Sequence, residues 1–218
     1  FVIELPAALK ERNGFVVEKD GGLIRINVTL AGLSPLLMNA MSQEQLLAIR
    51  DKTKRPKNAA KPSLREEAES KLHLTADGKP KMPTTALFKS WINAGAFVRL
   101  DGKRQVSSAK STVLPGMLSL EDHELPIYLP GTEEPATWEV DIQQGRNPNG
   151  GEACCIVRPR FDAWEIRCTI EVDQMQMPLT MARELIEIAG RRIGLLDGRP
   201  QCKCTFGRYG ITNWKACG

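Results

Sequence analysis

The last sixty residues constrain the fold more than any other part of the chain. Between Phe161 and Asp173, Trp164, Ile166, Cys168, Ile170 and Val172 alternate with Glu165, Arg167, Thr169 and Glu171. A period of two predicts a strand with one face buried and one wet. Pro178-Leu179-Thr180 then opens a helix with Met181, Leu185, Ile188 and Ala189 on its buried side. Gly190 is the expected C-terminal cap, Gly194 follows, and Arg191 and Arg192 stand where the helix dipole favours cations. After a glycine-rich connection, Tyr209 to Lys215 predicts a closing strand.

Strand, helix, glycine-rich loop and strand make the C-terminal half of a ferredoxin-like unit. The other half starts at Ile24–Leu30, where apolar and polar residues again alternate until Gly32, Ser34 and Pro35 end the run. A helix is expected from Ser42, with Gln45 completing a capping box and Leu46, Leu47 and Ile49 supplying apolar contacts. A second covers Leu64 to Leu74. The Asp77-Gly78-Lys79-Pro80 turn precedes a third, with Pro83 near its first turn and Leu87, Trp91, Ala94 and Val98 on one face. From Val106 to Pro159 strands and turns are expected. Trp138–Ile142 pairs with Cys154–Val157 as a hairpin, and Gln143–Glu152 forms a mobile tip too long for a tight turn. The fold class is therefore α+β: an antiparallel, ferredoxin-like (RRM-like) sheet with helices on one face. One domain, 1–218, is expected, with its core at about 15–40 and 155–218 and a helical and loop insertion at about 41–154.

Charge is informative in its distribution. The chain is +4 overall, yet Arg50, Lys52, Lys54, Arg55, Lys57 and Lys61 stand against Asp51 alone. That segment is +5, leaving −1 for the rest. With Pro56 and Pro62 it reads as an exposed basic loop with an anionic partner. The remaining composition, 42% hydrophobic and 26% charged over 218 residues, excludes collagen, coiled coil, disorder and a disulfide scaffold. No apolar run approaches the ~20 residues of a membrane-spanning helix. The start, Phe1-Val2-Ile3-Glu4-Leu5-Pro6, lacks the n-region of a signal peptide and an initiator Met, and is read as trimmed. Six scattered cysteines suit a reducing cytoplasm. Cys202 and Cys204 are too close in sequence for zinc-ligand spacing, and neither His73 nor His123 has a partner, so no metal or other cofactor is expected. His73 sits between leucines and His123 among carboxylates, neither placed for general acid or base work on a phosphate. A non-catalytic protein is expected.

The stretch Gly194-Leu195-Leu196-Asp197-Gly198-Arg199-Pro200, followed by Phe206-Gly207-Arg208-Tyr209-Gly210, is neither a Walker loop nor a dinucleotide fingerprint. Its glycines and arginines offer amides and guanidinium groups to phosphates, or a tight helix-to-strand connection. With the flanking strand and helix, this loop resembles that of the RAMP superfamily, the ferredoxin-like proteins of CRISPR effector complexes. Leu30-Ala31-Gly32-Leu33-Ser34-Pro35-Leu36 is similar to the family's first strand and its hydrophobic–Ser/Thr–Pro–Leu turn. Met82-Pro83-Thr84-Thr85-Ala86-Leu87-Phe88-Lys89-Ser90 resembles its Ile-Pro-Gly-Ser-Ser-Leu-Lys-Gly stretch. The chain departs from the pattern in a sparser glycine loop and in having Thr85-Ala86 and Lys89-Ser90 where glycine is common.

The resemblance implies a backbone-type, guide-RNA-binding subunit or a phage-encoded relative. Copies would stack along single-stranded RNA, hold its sugar-phosphate chain and meet other effector-complex subunits, with the hairpin tip as a thumb between nucleotides. The physical requirement is a row of cations with a few stacking surfaces. Candidates are Lys52, Lys54, Arg55, Lys57 and Lys61 of the basic loop, then Lys89, Lys103, Arg104 and Lys110, and finally Arg158, Arg160, Arg199 and Arg208. Tyr209 or Trp91 would stack, although a helical tryptophan is more often core. With 6% aromatic residues, backbone contact should outweigh stacking. The rivals are a phage protein that coats or anneals single-stranded DNA, a guide-RNA-processing ribonuclease, and an assembly protein whose basic loop binds an acidic chain. Exposed apolar residues in Leu33–Met41 and Leu114–Leu120 are candidate contacts between copies.

Overall fold

The computed structural model describes residues 22–52, 62–146 and 151–217. The elements, in chain order, begin with β1 (Leu23–Gly32), β2 (Leu36–Leu37), α1 (Gln43–Arg50), α2 (Leu64–Glu69), β3 (Lys81–Met82) and α3 (Thr84–Ala94). The short strands β4 (Arg99–Leu100), β5 (Arg104–Gln105), β6 (Leu118–Leu120) and β7 (Leu125–Tyr128) follow. The chain closes with β8 (Glu139–Arg146), β9 (Ala153–Phe161), β10 (Glu165–Asp173), α4 (Leu179–Ile188) and β11 (Tyr209–Ala216).

The main sheet has the order β11-β1-β10-β7-β3, with β6 beside β10. Every pairing is antiparallel, from Leu23↔Asp173 along β1 and β10 to Gly32↔Tyr209 on the other side of β1. Two interleaved strand–helix–strand units produce that order: β1, α3 and β6–β7 in one, β10, α4 and β11 in the other. This is the ferredoxin-like arrangement, an α+β fold with both helices on one face. The core thus reaches into 41–154, the segment expected as an insertion, because α3 and β6–β7 supply the first unit's helix and edge strand.

Alternation does the work in the sheet. Ile24, Ile26, Val28 and Leu30 of β1 and Ile166, Cys168, Ile170 and Val172 of β10 face the helices and are buried. From α3 come Leu87, Trp91 and Ala94, as its periodicity predicts. On α4 the fully buried stripe is Ala182, Leu185, Ile186 and Ala189, rotated from the expected one, with Met181 and Ile188 at its margins. Helix α4 also runs past Gly190: Ala189–Ile193 forms a wider π turn, and Gly194, at φ 72°, ends it. Gly190 is needed for a different reason, since a Cβ there would collide with the Tyr209 carbonyl oxygen.

The additions sit around this unit. Both Ser42 and Ser63 form full capping boxes, with Gln45 and Glu66. The second helix stops at Glu69, short of the expected Leu74. On α1, Leu46, Leu47 and Ile49 are 53%, 42% and 63% exposed, so they do not make the expected core contacts. The hairpin forms as expected and is longer, pairing Glu139↔Arg160 through Arg146↔Ala153 with β2 along β9. Of the expected tip, 147–150 lies outside the described residues.

Candidate nucleic-acid interface

Three segments meet at the end of β1: the Leu33–Asn39 link, the base of the hairpin, and the loop from Gly194 to Arg208. Leu37 pairs with Arg160 of β9 on one side, and on the other its carbonyl accepts from Asp197 N at 3.2 Å. Pro35 O accepts from Gly207 N at 2.8 Å, while Arg208 O accepts from Leu33 N at 2.8 Å and Arg208 N donates to Ser34 Oγ at 3.0 Å. The Arg158 side chain locks the junction. Its guanidinium donates to Asp141 Oδ2 at 3.2 Å and Asp197 Oδ2 at 2.7 Å, with the side chain only 6% exposed. Asn39 Nδ2 also donates to Asp197 Oδ2, at 3.3 Å, and Gly198 N to Asp197 Oδ1, at 3.0 Å. Strand β8, strand β9, the link and the glycine-rich loop are therefore held by one polar network.

That geometry corrects two expectations. Arg158 is not a phosphate ligand, because its charge is buried and matched by two carboxylates. Nor is the glycine-rich loop a cradle of free amides. The N–H groups of Gly194, Leu195, Asp197, Gly198, Phe206, Gly207 and Arg208 are all bonded within the protein. Gly207, at φ 66°, is there for close approach, since a Cβ would strike the Leu195 carbonyl oxygen. With those amides committed, the loop meets an anion chiefly through its side chains. Arg208 and Lys203 are exposed and, among the described residues, without an acidic partner. Arg199 is half-buried, donating to Leu196 O at 2.7 Å and Gln201 Oε1 at 3.3 Å.

Tyr209 is a further correction. It is fully buried, its hydroxyl lies 3.3 Å from Ser90 Oγ, and burial pushes its pKa upward. No ring face remains for a base, and Trp91 is likewise core. Among the described residues, the exposed aromatic is Phe97, 50% accessible, with the Arg192 guanidinium 5.0 Å from its ring centroid. Its signal in the sequence was the Arg191-Arg192 pair, which the helix dipole alone explained. Arg192, in the π turn that precedes the glycine-rich loop, covers the Phe97 ring, and Asn93 Nδ2 of α3 donates to Gln201 Oε1 of that loop at 3.2 Å. Lys103 and Arg104 lie exposed just beyond, on the β4–β5 hairpin. Arg199, Lys203 and Arg208 thus lie on the glycine-rich loop, Arg192 on the π turn before it, and Lys103 and Arg104 on the hairpin that follows Phe97.

The other expected cations lie apart. Arg160 is paired with Asp162 at 2.6 Å. Lys89 is exposed on α3 beside His123. Lys110 is exposed on the loop after β5, and Lys52 follows α1. Lys54, Arg55, Lys57 and Lys61 lie outside the described residues. The uncovered face of the sheet is unsuited to RNA. Arg25 is bound to Glu121 at 2.7 Å, Arg167 to Glu165 at 2.9 Å and to Glu133, and Tyr128 is covered by Arg167. Its acids repel phosphate, and among the described residues no free ring is offered there.

Among the described residues, no three His, Cys, Asp or Glu side chains group as a metal site, and no helix is long and apolar enough to cross a membrane. Burial, with Lys81 adding to it, holds the His73 pKa below its ordinary value.

No protein-family model matches the chain, and no curated protein does. Its fold is shared with a chain in the cryo-EM structure of the type III-B Cmr-beta bound to cognate target RNA. The TM-score is 0.54 at 9% identity, over 89% of this chain and 61% of that one. This chain therefore spans less than two thirds of that neighbour's length, and at this identity the likeness is one of fold.

Proposed function

We propose that this chain is a RAMP-type protein that binds single-stranded RNA along its sugar-phosphate backbone, without catalysis, as a repeated subunit of a CRISPR-effector-like ribonucleoprotein. The observation that carries the reading is the fold shared with a chain of an RNA-bound effector complex. It is supported by exposed cations without acidic partners among the described residues, on the glycine-rich loop and on the β4–β5 hairpin, and by the exposed Phe97 beneath Arg192. Cations along a path with one aromatic platform bind single strands with little regard to sequence. The hairpin fits the part of a thumb, since beyond Ile142 and Ile156 it is largely exposed.

The test is anisotropy of a fluorescein-labelled 20-nucleotide RNA, and of its DNA counterpart, titrated with the full chain at several salt concentrations. Affinity for RNA should fall linearly on a log–log plot, and Arg208→Ala should reduce the slope by about 0.7. Phe97→Ala should weaken binding by about 1–3 kcal/mol with the salt slope unchanged. Preference for the DNA strand would move the protein to the strand-annealing class, and no binding of either would overturn the reading.

A further inference from the structure

Strand β6 leaves one edge of the sheet unpaired, and its register shows which groups are left over. Glu121 N donates to Thr169 O at 3.0 Å and Asp173 N to Met117 O at 2.9 Å. Bonded and non-bonded pairs alternate in an antiparallel ladder. With Leu120 opposite Ile170 and Leu118 opposite Val172, Ser119 bonds towards β10. The N–H and C=O groups of Leu118 and Leu120 point away from the sheet, and β3 covers only the outer side of β7, at Pro126 and Leu125. This edge opens onto a groove of about 510 Å³ between β6 and α3. Phe88, Ile92, Leu118 and Leu120 supply apolar surface, with Lys89 and His123 beside them. Asp122, also at the groove, is committed to Thr169 N at 2.5 Å. Lys89 has no ion pair among the described residues.

We propose that this edge is the docking site for an extended peptide strand of a partner protein, with apolar side chains at alternate positions and a carboxylate beside Lys89. Two outward donors and two outward acceptors define a ladder that only extended backbone completes. Successive side chains of an added strand point to opposite faces, so every second one enters the apolar groove. Charge favours a foreign chain over a second copy. Of the long edge strands this chain could offer, β11 carries Lys215 and no carboxylate, and β8 has its Asp141 held by Arg158, with Glu139 at its first position and Gln143, Gln144, Gly145 and Arg146 along its outer half. The proposal stands independently of RNA binding.

A phage-displayed library of random octapeptides, selected on the immobilised full chain, tests it. Enriched peptides should alternate apolar residues and include Asp or Glu, and a synthetic consensus peptide should bind Leu120→Pro at least tenfold more weakly. That substitution removes an outward N–H and leaves the bonds of Ser119 and Glu121 to β10. Lys89→Glu, which keeps the backbone intact, should instead select peptides bearing Lys or Arg. No enrichment, or a consensus that binds both variants as well as the original, would overturn the proposal. So would a dimer on size exclusion that Lys89→Glu or Leu120→Pro dissociates, which would assign the edge to a second copy.

Discussion

Arg158 and Arg208 are chemically alike in the sequence and opposite in the molecule. Arg158 holds its charge between Asp141 and Asp197 with its Nε unbonded, whereas Arg208 extends to solvent. Replacing Arg158 by Met strands the Asp141 carboxylate, 8% exposed, and should cost about 3 kcal/mol in urea unfolding. Adding Asp141→Leu should recover much of that loss, because the stranded charge goes with its partner. Asp197 is 37% exposed, so Asp197→Asn should cost less. The cysteines divide in the same way. Cys154, Cys155, Cys202 and Cys204 are exposed, while burial, with Asp122 adding to it, pushes the Cys168 thiol up to about 12. Those four should react with a chromogenic disulfide reagent at pH 8 in the native protein, and Cys168 only after unfolding. Nothing in the spacing of these residues separated the two groups, because burial is a property of what packs around them.

Elements were more legible than their ends. The period of two found β1 and β10, and the Ser42–Gln45 capping box found the start of α1, since both signals are local. The end of α4 was misplaced, because it depends on β11. Gly190 lies against the Tyr209 carbonyl, so the helix continues as a π turn to Gly194. Gly190→Ala should therefore cost about 3 kcal/mol or more through overpacking. Gly116→Ala, which meets nothing within 4 Å, should change stability by less than about 1 kcal/mol. Thermal unfolding of the two variants side by side checks the contrast. The glycine-rich loop was rightly singled out and its use misread: its amides serve the link at Pro35 and Leu37, and its exposed side chains remain for a ligand.

For the whole molecule, the acid side of the stability profile should have two limbs. The folded-state pKa of His73 lies below 6.5, chiefly through burial and then through Lys81. The unfolded chain therefore binds the proton more readily, and stability present above pH 6.5 is lost as the pH falls below it. Asp77 is lowered from 3.8 to about 2 by hydrogen bonds from Lys79 and Thr75. Its contribution is lost further down, as the pH falls from 3.8 through 2. His73→Gln should flatten the first limb and Asp77→Asn the second, read as midpoint denaturant concentration against pH.

By itself, the sequence determined the fold class, the antiparallel sheet with helices on one face, and the long hairpin. Alternation, helical spacing and caps act between residues close along the chain, where a pattern can be read without coordinates. Only the tertiary structure decided which cations are free, which glycines serve packing, and that Phe97 instead of Tyr209 faces solvent. Those outcomes depend on neighbours brought from far away, such as Asp197 to Arg158 and Arg192 to Phe97. A residue's charge or ring is written in the sequence, but the partner that neutralises or covers it is supplied by the fold.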